Sequence, residues 1–353
     1  MKILINALSG NGDALMFSPA LRILKERFPG SEIDMLVMYA SVKEMYENNP
    51  FLNKIYYINF LKQSKFRSLS EVRNIARNEY DYSVNVYPAN RAEYNILNAL
   101  LSAKVKIAHH YNHTNFFRFE FLNDVPVNEI KDRHNVLQNL DLIKNMKDAG
   151  EIKDEDAGKM EIYISEMLSE KAGEFIREIN PGNKLLVGLH PGSSVLKNHI
   201  HKRWDKKKYA DAANLLMKDH NAKILLFGNE FELNNEINSM MDNKAVIAST
   251  DNFMDSIARM KHCGLFISND TAFMHSAAAL DIPVIGIFGY TNAKELYPWK
   301  TKNIVVRKDL ACSPCFYNSP KPASCIFDGA EKFKCMKSIE IDEVMKAAVE
   351  LIA

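Results

Sequence analysis

The stretch at 265–291, LFISNDTAFMHSAAALDIPVIGIFGYT, decides how the chain folds. Residues 265–267 and 283–288 are short apolar runs rich in β-branched side chains, the composition of strands buried on both faces of a parallel sheet. Between them, 272–280 reads as a short helix. Strand, turn, helix, strand is a βαβ unit, and open α/β sheets bind ligands just beyond the carboxyl ends of their strands. Asn269, Asp270 and Thr271 fall at that point. Asp270 or Thr271 is placed to cap the helix, whose free N–H groups and positive dipole end suit a phosphate. His275 follows Thr271 by four residues and lies one turn further along the same face. Taken alone, the pair reads first as an N-cap and a satisfied core histidine.

Upstream, 253–263 (FMDSIARMKHC) is an amphipathic helix leading into this unit, and 222–227 is a strand ending in Gly228-Asn229-Glu230-Phe231-Glu232. A carboxylate just past a strand can accept both ribose hydroxyls of a nucleoside, which singles out Glu232 and Glu230. The strand 185–189 runs into His190-Pro191-Gly192-Ser193-Ser194, a small-residue loop able to turn its N–H groups, at Ser193 and Ser194, toward phosphate oxygens. A basic block follows, with eight potentially cationic groups in residues 197–208, among them Lys202. Such a block also suits nucleic acid or a membrane surface.

In the amino-terminal half, 2–8 is a strand and Ser9-Gly10-Asn11-Gly12-Asp13 the turn after it, with two glycines permitting positive φ and close approach of a ligand. Ser18-Pro19 reads as an N-cap and first helical position. Leu15 stands where a dinucleotide fingerprint needs its third glycine, which weakens an NAD reading. Further strands at 33–38, 54–58, 82–87 and 105–108 alternate with helical segments, so the expected architecture is α/β with parallel, doubly wound sheets. Lys62, Lys65 and Arg67, then His109, His110 and Arg118, stand in expected loops and could receive an anionic acceptor. A helix is expected over 132–145. The turn-rich EINPGNK at 178–184 marks the domain boundary, giving domains 1–180 and 181–353, with a terminal helix at 341–352 expected to pack back on the first.

The 353 residues fit two domains, and 47% hydrophobic with 25% charged residues is a soluble, globular composition. A formal net charge of +1 argues against a general nucleic-acid binder. The apolar start is too short for a signal peptide, so the expected location is the cytoplasm, with contact to the inner membrane surface compatible. Of five cysteines, Cys263 is isolated, whereas Cys312, Cys315, Cys325 and Cys335 form C-x2-C-x9-C-x9-C. In a reducing compartment that spacing points to a structural metal, zinc or iron, or else to a loop of free thiols.

The 265–291 string resembles the nucleotide-sugar motif of the ADP-heptose:lipopolysaccharide heptosyltransferases, glycosyltransferase family 9. Ser268, Asn269, Asp270, Thr271, Met274, His275, Pro283, Phe288, Gly289 and Thr291 match in order, with Ala272 in place of the usual Gly and Tyr290 in place of Pro. Gly12, Asp13, Pro19, Ala20, Leu21, Leu24 and Lys25 resemble the family's amino-terminal pattern, and Lys202-Arg203-Trp204 its Lys-x-Trp. The resemblance implies a GT-B fold, two Rossmann-like domains facing a cleft, with acceptor on the first and nucleotide sugar on the second. It implies inverting transfer without a catalytic cofactor, Asp13 as general base, Lys202 on the donor phosphates and Glu232 on the ribose. Met274, His275, Asp270 and Thr271 would complete the donor site and Gly12 would lie at the acceptor. The implied partners are a nucleotide-sugar donor, ADP-heptose first, and a glycan or glycolipid acceptor such as lipopolysaccharide inner core; no nucleic-acid partner is expected, and of the oligomeric states, which the residues leave open, a monomer is favoured. Another nucleotide-sugar enzyme, such as a UDP- or GDP-sugar transferase or an epimerase, stays open, as does a binding protein without turnover. An epimerase would consume donor with no acceptor present.

Overall fold

The computed structural model describes residues 1–317 and 321–353 and divides into two compact units, 1–163 and, within the described residues, 164–317 with 321–353. The first unit runs β1 (Lys2–Ala7), α1 (Asn11–Leu15), α2 (Ser18–Arg27), β2 (Glu32–Val37), α3 (Ala40–Tyr46), β3 (Lys54–Tyr57), α4 (Lys65–Ala76), β4 (Tyr82–Asn85), α5 (Ala92–Leu100), β5 (Val105–His110), β6 (Val125–Asn128) and α6 (Asn135–Lys144). Its six strands are parallel in the order β3-β2-β1-β4-β5-β6.

The second unit begins with α7 (Glu166–Ile179) and continues β7 (Leu186–His190), α8 (Lys206–Asp219), β8 (Lys223–Leu226), α9 (Phe231–Met240), β9 (Val246–Ile247), α10 (Phe253–Met260), β10 (Leu265–Asn269), α11 (Ala272–Ala279), β11 (Val284–Phe288), α12 (Ala293–Leu296), β12 (Asn303–Arg307), α13 (Lys334–Lys337) and α14 (Ile341–Ile352). Its strands are also all parallel, ordered β12-β11-β10-β7-β8-β9. Strand order reverses between β1 and β4 in one unit and between β7 and β10 in the other. Each reversal opens a crevice where two neighbouring strands send their connections to opposite faces, the usual ligand position of such sheets.

The apolar runs around 265–291 are buried strands: every residue of β10 and β11 is buried, and α11 buries Phe273 to Ala278 between them. The boundary falls at 163/164 and not at 180/181 because α7 is held by the second unit. Lys171 pairs with Asp255 at 3.0 Å and the Arg259 guanidinium lies 4.1 Å over the Phe175 ring, both partners being on α10. The 178–184 turn joins α7 to β7 inside that unit. Likewise α14, expected to pack back on the first domain, buries Val344, Ala347, Ala348 and Leu351 against α8, β11 and β12 of its own unit.

The edge strand β6 was not foreseen, since Pro126 interrupts its apolar run; Pro lacks an N–H and is tolerated at a sheet edge. The helix expected over 132–145 starts at Asn135, capped by the His134 ring, which accepts from the Val136 N–H at 3.2 Å. Arg133 leaves the helix to pair with Asp141 and Asp154.

Candidate functional site

Because β7 and β10 are neighbours in register, His190 opposite Ser268, the loop after β7 lies beside the turn after β10. Asn269, with no exposed surface, ties the two together: its Nδ2 donates to the carbonyls of Pro191 and Gly192 at 2.9 and 3.1 Å. Its Oδ1 accepts from the Trp204 N–H at 3.0 Å and the Tyr209 hydroxyl at 3.2 Å. Trp204, buried and donating from Nε1 to the Ile339 carbonyl, anchors the segment that carries Lys202 and Arg203.

Lys202 Nζ meets Asp270 Oδ2 at 2.7 Å, with the carboxylate 6% exposed. Burial works against ionisation of Asp270, but Lys202, His275 and a bond from Thr291 outweigh it and hold the carboxyl below its ordinary range. His275 Nε2 stands 3.9 Å from Asp270 Oδ1, and burial pushes the imidazole down to about 4, so it is neutral at neutral pH. Burial, reinforced by Lys202, also lowers His199 to about 4. The charge balance of this corner therefore rests on one ammonium and one carboxylate. An ammonium has three donors, and two suffice for Asp270 Oδ2 and, at 3.5 Å, the Asp270 carbonyl.

Neither Asp270 nor Thr271 caps α11. Thr271 is the N-cap residue by position but makes no side-chain cap bond; its Oγ1 faces His190 Nδ1 at 2.9 Å and Ser268 Oγ at 3.2 Å. The start of α11 thus has no cap bond from its N-cap side chain, and an ammonium stands beside it; helix N-termini of this kind suit anions.

A second carboxylate completes the crevice. Glu230, just before α9, lies 3.7 Å from His190 Nε2 and 3.5 Å from the Arg203 guanidinium. Burial raises its carboxyl and these two neighbours more than compensate, leaving it below the usual glutamate value. It is cradled by glycines, since a Cβ on Gly192 or on Gly228 (φ 107°) would run into its carboxylate. Glu232, the family match, is exposed on the first turn of α9.

The family model of glycosyltransferase family 9 (heptosyltransferase) matches residues 70–324. The chain belongs to glycosyltransferase family 9. A lipooligosaccharide heptosyltransferase 2 of Campylobacter jejuni is 27% identical over all of this chain and 98% of its own. Among solved structures, a family 9 glycosyltransferase of Veillonella parvula superposes with a TM-score of 0.78 at 21% identity, covering 99% and 97% of the two chains. The E. coli heptosyltransferase WaaC with ADP-2-deoxy-2-fluoro heptose gives 0.69 at 15% identity over the full length of both. The iron-containing dodecameric glycosyltransferase TibC of enterotoxigenic E. coli gives 0.58 at 8% identity, covering 99% of this chain and 76% of its own. The protein is a glycosyltransferase of the GT-B fold, and no described helix is long and apolar enough to cross a membrane.

Within this family 9 enzyme the other expected residues divide. Ser193 is buried and committed to structure, donating to the His199 carbonyl at 2.8 Å and accepting from Arg203. Ser194 is exposed on the same loop. Met274 has no exposed surface and packs under β11 against Gly286, so its contribution is to the floor of the site. Tyr290, in place of the family Pro, is buried with its hydroxyl 3.1 Å from His199 Nδ1. Arg203 was hidden as the middle letter of Lys-x-Trp; its bond to the Ser193 carbonyl at 2.7 Å braces the loop after β7.

In the first unit, Gly12 and Asp13 lie in α1, at the β1/β4 switch point, and the turn is helical from Asn11. Neither Gly10 nor Gly12 adopts the positive φ that was allowed for. Asp13 is close enough to the Tyr39 and Tyr94 hydroxyls to act on both electrostatically, as does Arg91. Lys62 and Lys65 are exposed, Lys65 as the first residue of α4, and Arg118 closes a 3-10 turn at Phe116–Arg118.

Cys312, Cys315, Cys325 and Cys335 all line one cavity of about 20 Å³ with Tyr290 and Phe333. Burial raises the Cys315 thiol, and raises that of Cys335 to about 11. Among the described residues no three His, Cys, Asp or Glu side chains converge in metal-ligating geometry. Cys263 is separate and buried.

Proposed function

We propose that the enzyme moves heptose from ADP-heptose to a hydroxyl of a lipopolysaccharide-type glycolipid, with inversion. The observation that carries this is the Lys202–Asp270 pair beside the uncapped start of α11, with Glu230 across the β7/β10 crevice. Lys202, the Ser193-Ser194 loop and the α11 N–H groups would hold the diphosphate and take up the charge that develops on it as ADP leaves. Glu230, and not Glu232, would accept the ribose hydroxyls, because it is the carboxylate turned into the crevice. Asp13 would remove the acceptor proton as that oxygen attacks the anomeric carbon and the bond to the β-phosphate oxygen breaks.

Thermal-shift titration tests the donor assignment, since a ligand that binds only the folded state raises Tm by mass action. ADP is expected to stabilise more than UDP or GDP, and ADP-heptose more than ADP. Glu230→Gln is expected to weaken ADP roughly tenfold, the effect of one lost charged hydrogen-bond acceptor, whereas Glu232→Gln changes it little. Equal responses to all three nucleotides would overturn the adenine reading; an effect at Glu232 and none at Glu230 would exchange their roles.

For the cysteine loop, the four thiols supply the donor set of a tetrahedral zinc or iron site. A metal held by Cys312, Cys315, Cys325 and Cys335 would bind them as thiolates, against the burial that raises the Cys315 and Cys335 thiols. Elemental analysis is expected to find about one metal per chain, lost in Cys325→Ser/Cys335→Ser; a metal-free, fully stable wild type would leave the free-thiol alternative.

A further inference from the structure

One face of the first unit is unusually apolar for a surface. α4 packs on α5, and α5 packs on the 3-10 turns Phe116–Arg118 and Glu120–Leu122, all covering one side of the sheet over Leu4, Leu36, Val72 and Leu97. Outward from this layer, Phe66 is 89% exposed, Phe116 73%, Phe117 75% and Phe121 62%. Phe116 stacks on Phe121 with ring centroids 5.3 Å apart and meets Phe117 edge-on at 6.1 Å, so the three form a preassembled ridge. Exposed apolar clusters of this kind mark interaction sites.

The α4 side of this face is cationic. Residues 61–78 contain five lysines and arginines and one carboxylate, and that carboxylate, Glu71, is taken by Arg67 at 3.0 Å. Lys62, Lys65, Arg73 and Arg77 are exposed on the loop before α4 and along the helix itself. A second copy of this face would set these cations against each other. An anionic lipid surface complements both features, phosphates meeting the ammonium and guanidinium groups while aromatic rings enter at headgroup depth.

We propose that the α4–α5 face docks this enzyme on an anionic membrane, with Phe116, Phe117 and Phe121 as the inserted ridge. The inference rests on the glycolipid-acceptor reading for its purpose, and its test does not use transfer. The full-length enzyme is sedimented with vesicles of phosphatidylglycerol and phosphatidylcholine, and with phosphatidylcholine alone. Wild type is expected to pellet with the anionic vesicles only, and to be released in about 0.5 M salt, where charges are screened within roughly 4 Å. Phe116→Ser/Phe117→Ser/Phe121→Ser should weaken lipid binding at least about tenfold, and Arg73→Glu/Arg77→Glu should do so through charge, both with an unchanged Tm shift on adding ADP. Wild type remaining in the supernatant, equal pelleting with neutral vesicles, or a triple variant that binds as wild type would each overturn the proposal. So would self-association of the wild type abolished by the triple variant. Vesicle binding with no ADP response would instead defeat the proposed function and leave this inference standing.

Discussion

Asp13→Asn is expected to lower kcat/KM for heptosyl transfer by a hundredfold to ten-thousandfold while leaving ADP affinity within about twofold. General-base catalysis is typically worth that factor, about 3 to 5 kcal/mol of barrier. Asparagine keeps the shape of the side chain but cannot take the acceptor proton. The donor-side groups, Lys202, Glu230 and the α11 terminus, all belong to the second unit, whereas Asp13 belongs to the first, so nucleotide binding should not register the change. Asp13 lies in the first turn of α1. A large loss of turnover in a variant that still folds and still binds ADP is therefore the expected signature. Turnover within threefold of wild type, in a folded variant, would remove Asp13 from the role of base.

Lys202→Ala is expected to act twice, and the two effects can be separated. In the proposed donor site, the substitution removes an ammonium that donates to the ADP phosphates. A charge-assisted bond is worth roughly 1.5 to 3 kcal/mol, so ADP should bind about tenfold to a hundredfold more weakly. It also strands Asp270, a 6% exposed carboxylate, without its ammonium. Breaking a buried pair from one side costs about 3 to 5 kcal/mol, so the melting temperature should fall by several degrees at least. Adding Asp270→Asn to Lys202→Ala removes the stranded charge and is expected to recover most of the stability and little of the ADP affinity. Stability and affinity returning together would mean that Lys202 acts only by organising Asp270 and never touches the phosphates. A Lys202→Ala protein as stable as wild type would instead show that water reaches the Asp270 carboxylate.

Much of the candidate site could be proposed from the residues because their placement depends on local spacing. The βαβ period at 265–291, the Asp270–Thr271–His275 spacing and the Lys202-Arg203-Trp204 run place their side chains at one strand end or on one helix face whatever the rest of the chain does. The parallel, doubly wound sheets followed from the same alternation. Asp13 could be singled out for the same reason, as the first carboxylate after β1.

Position along the chain could not settle which of two neighbouring carboxylates turns inward. Glu230 and Glu232 are both plausible by spacing; the choice is made by Gly192 and Gly228, whose missing side chains leave the room that the Glu230 carboxylate fills, and by His190 and Arg203, which draw it in. The allegiance of α7 was decided in the same way, by Asp255 and Arg259 far along the chain rather than by the Asn-Pro-Gly-Asn turn beside it. His134 showed its role as an N-cap only once the helix start was placed at Asn135. The sequence by itself determined the strand and helix periods, the class of fold and the set of chemically capable residues, because those depend on neighbours a few positions apart. Tertiary structure decided which members of that set face one another, because a side chain's direction and charge are fixed by packing against residues tens of positions away.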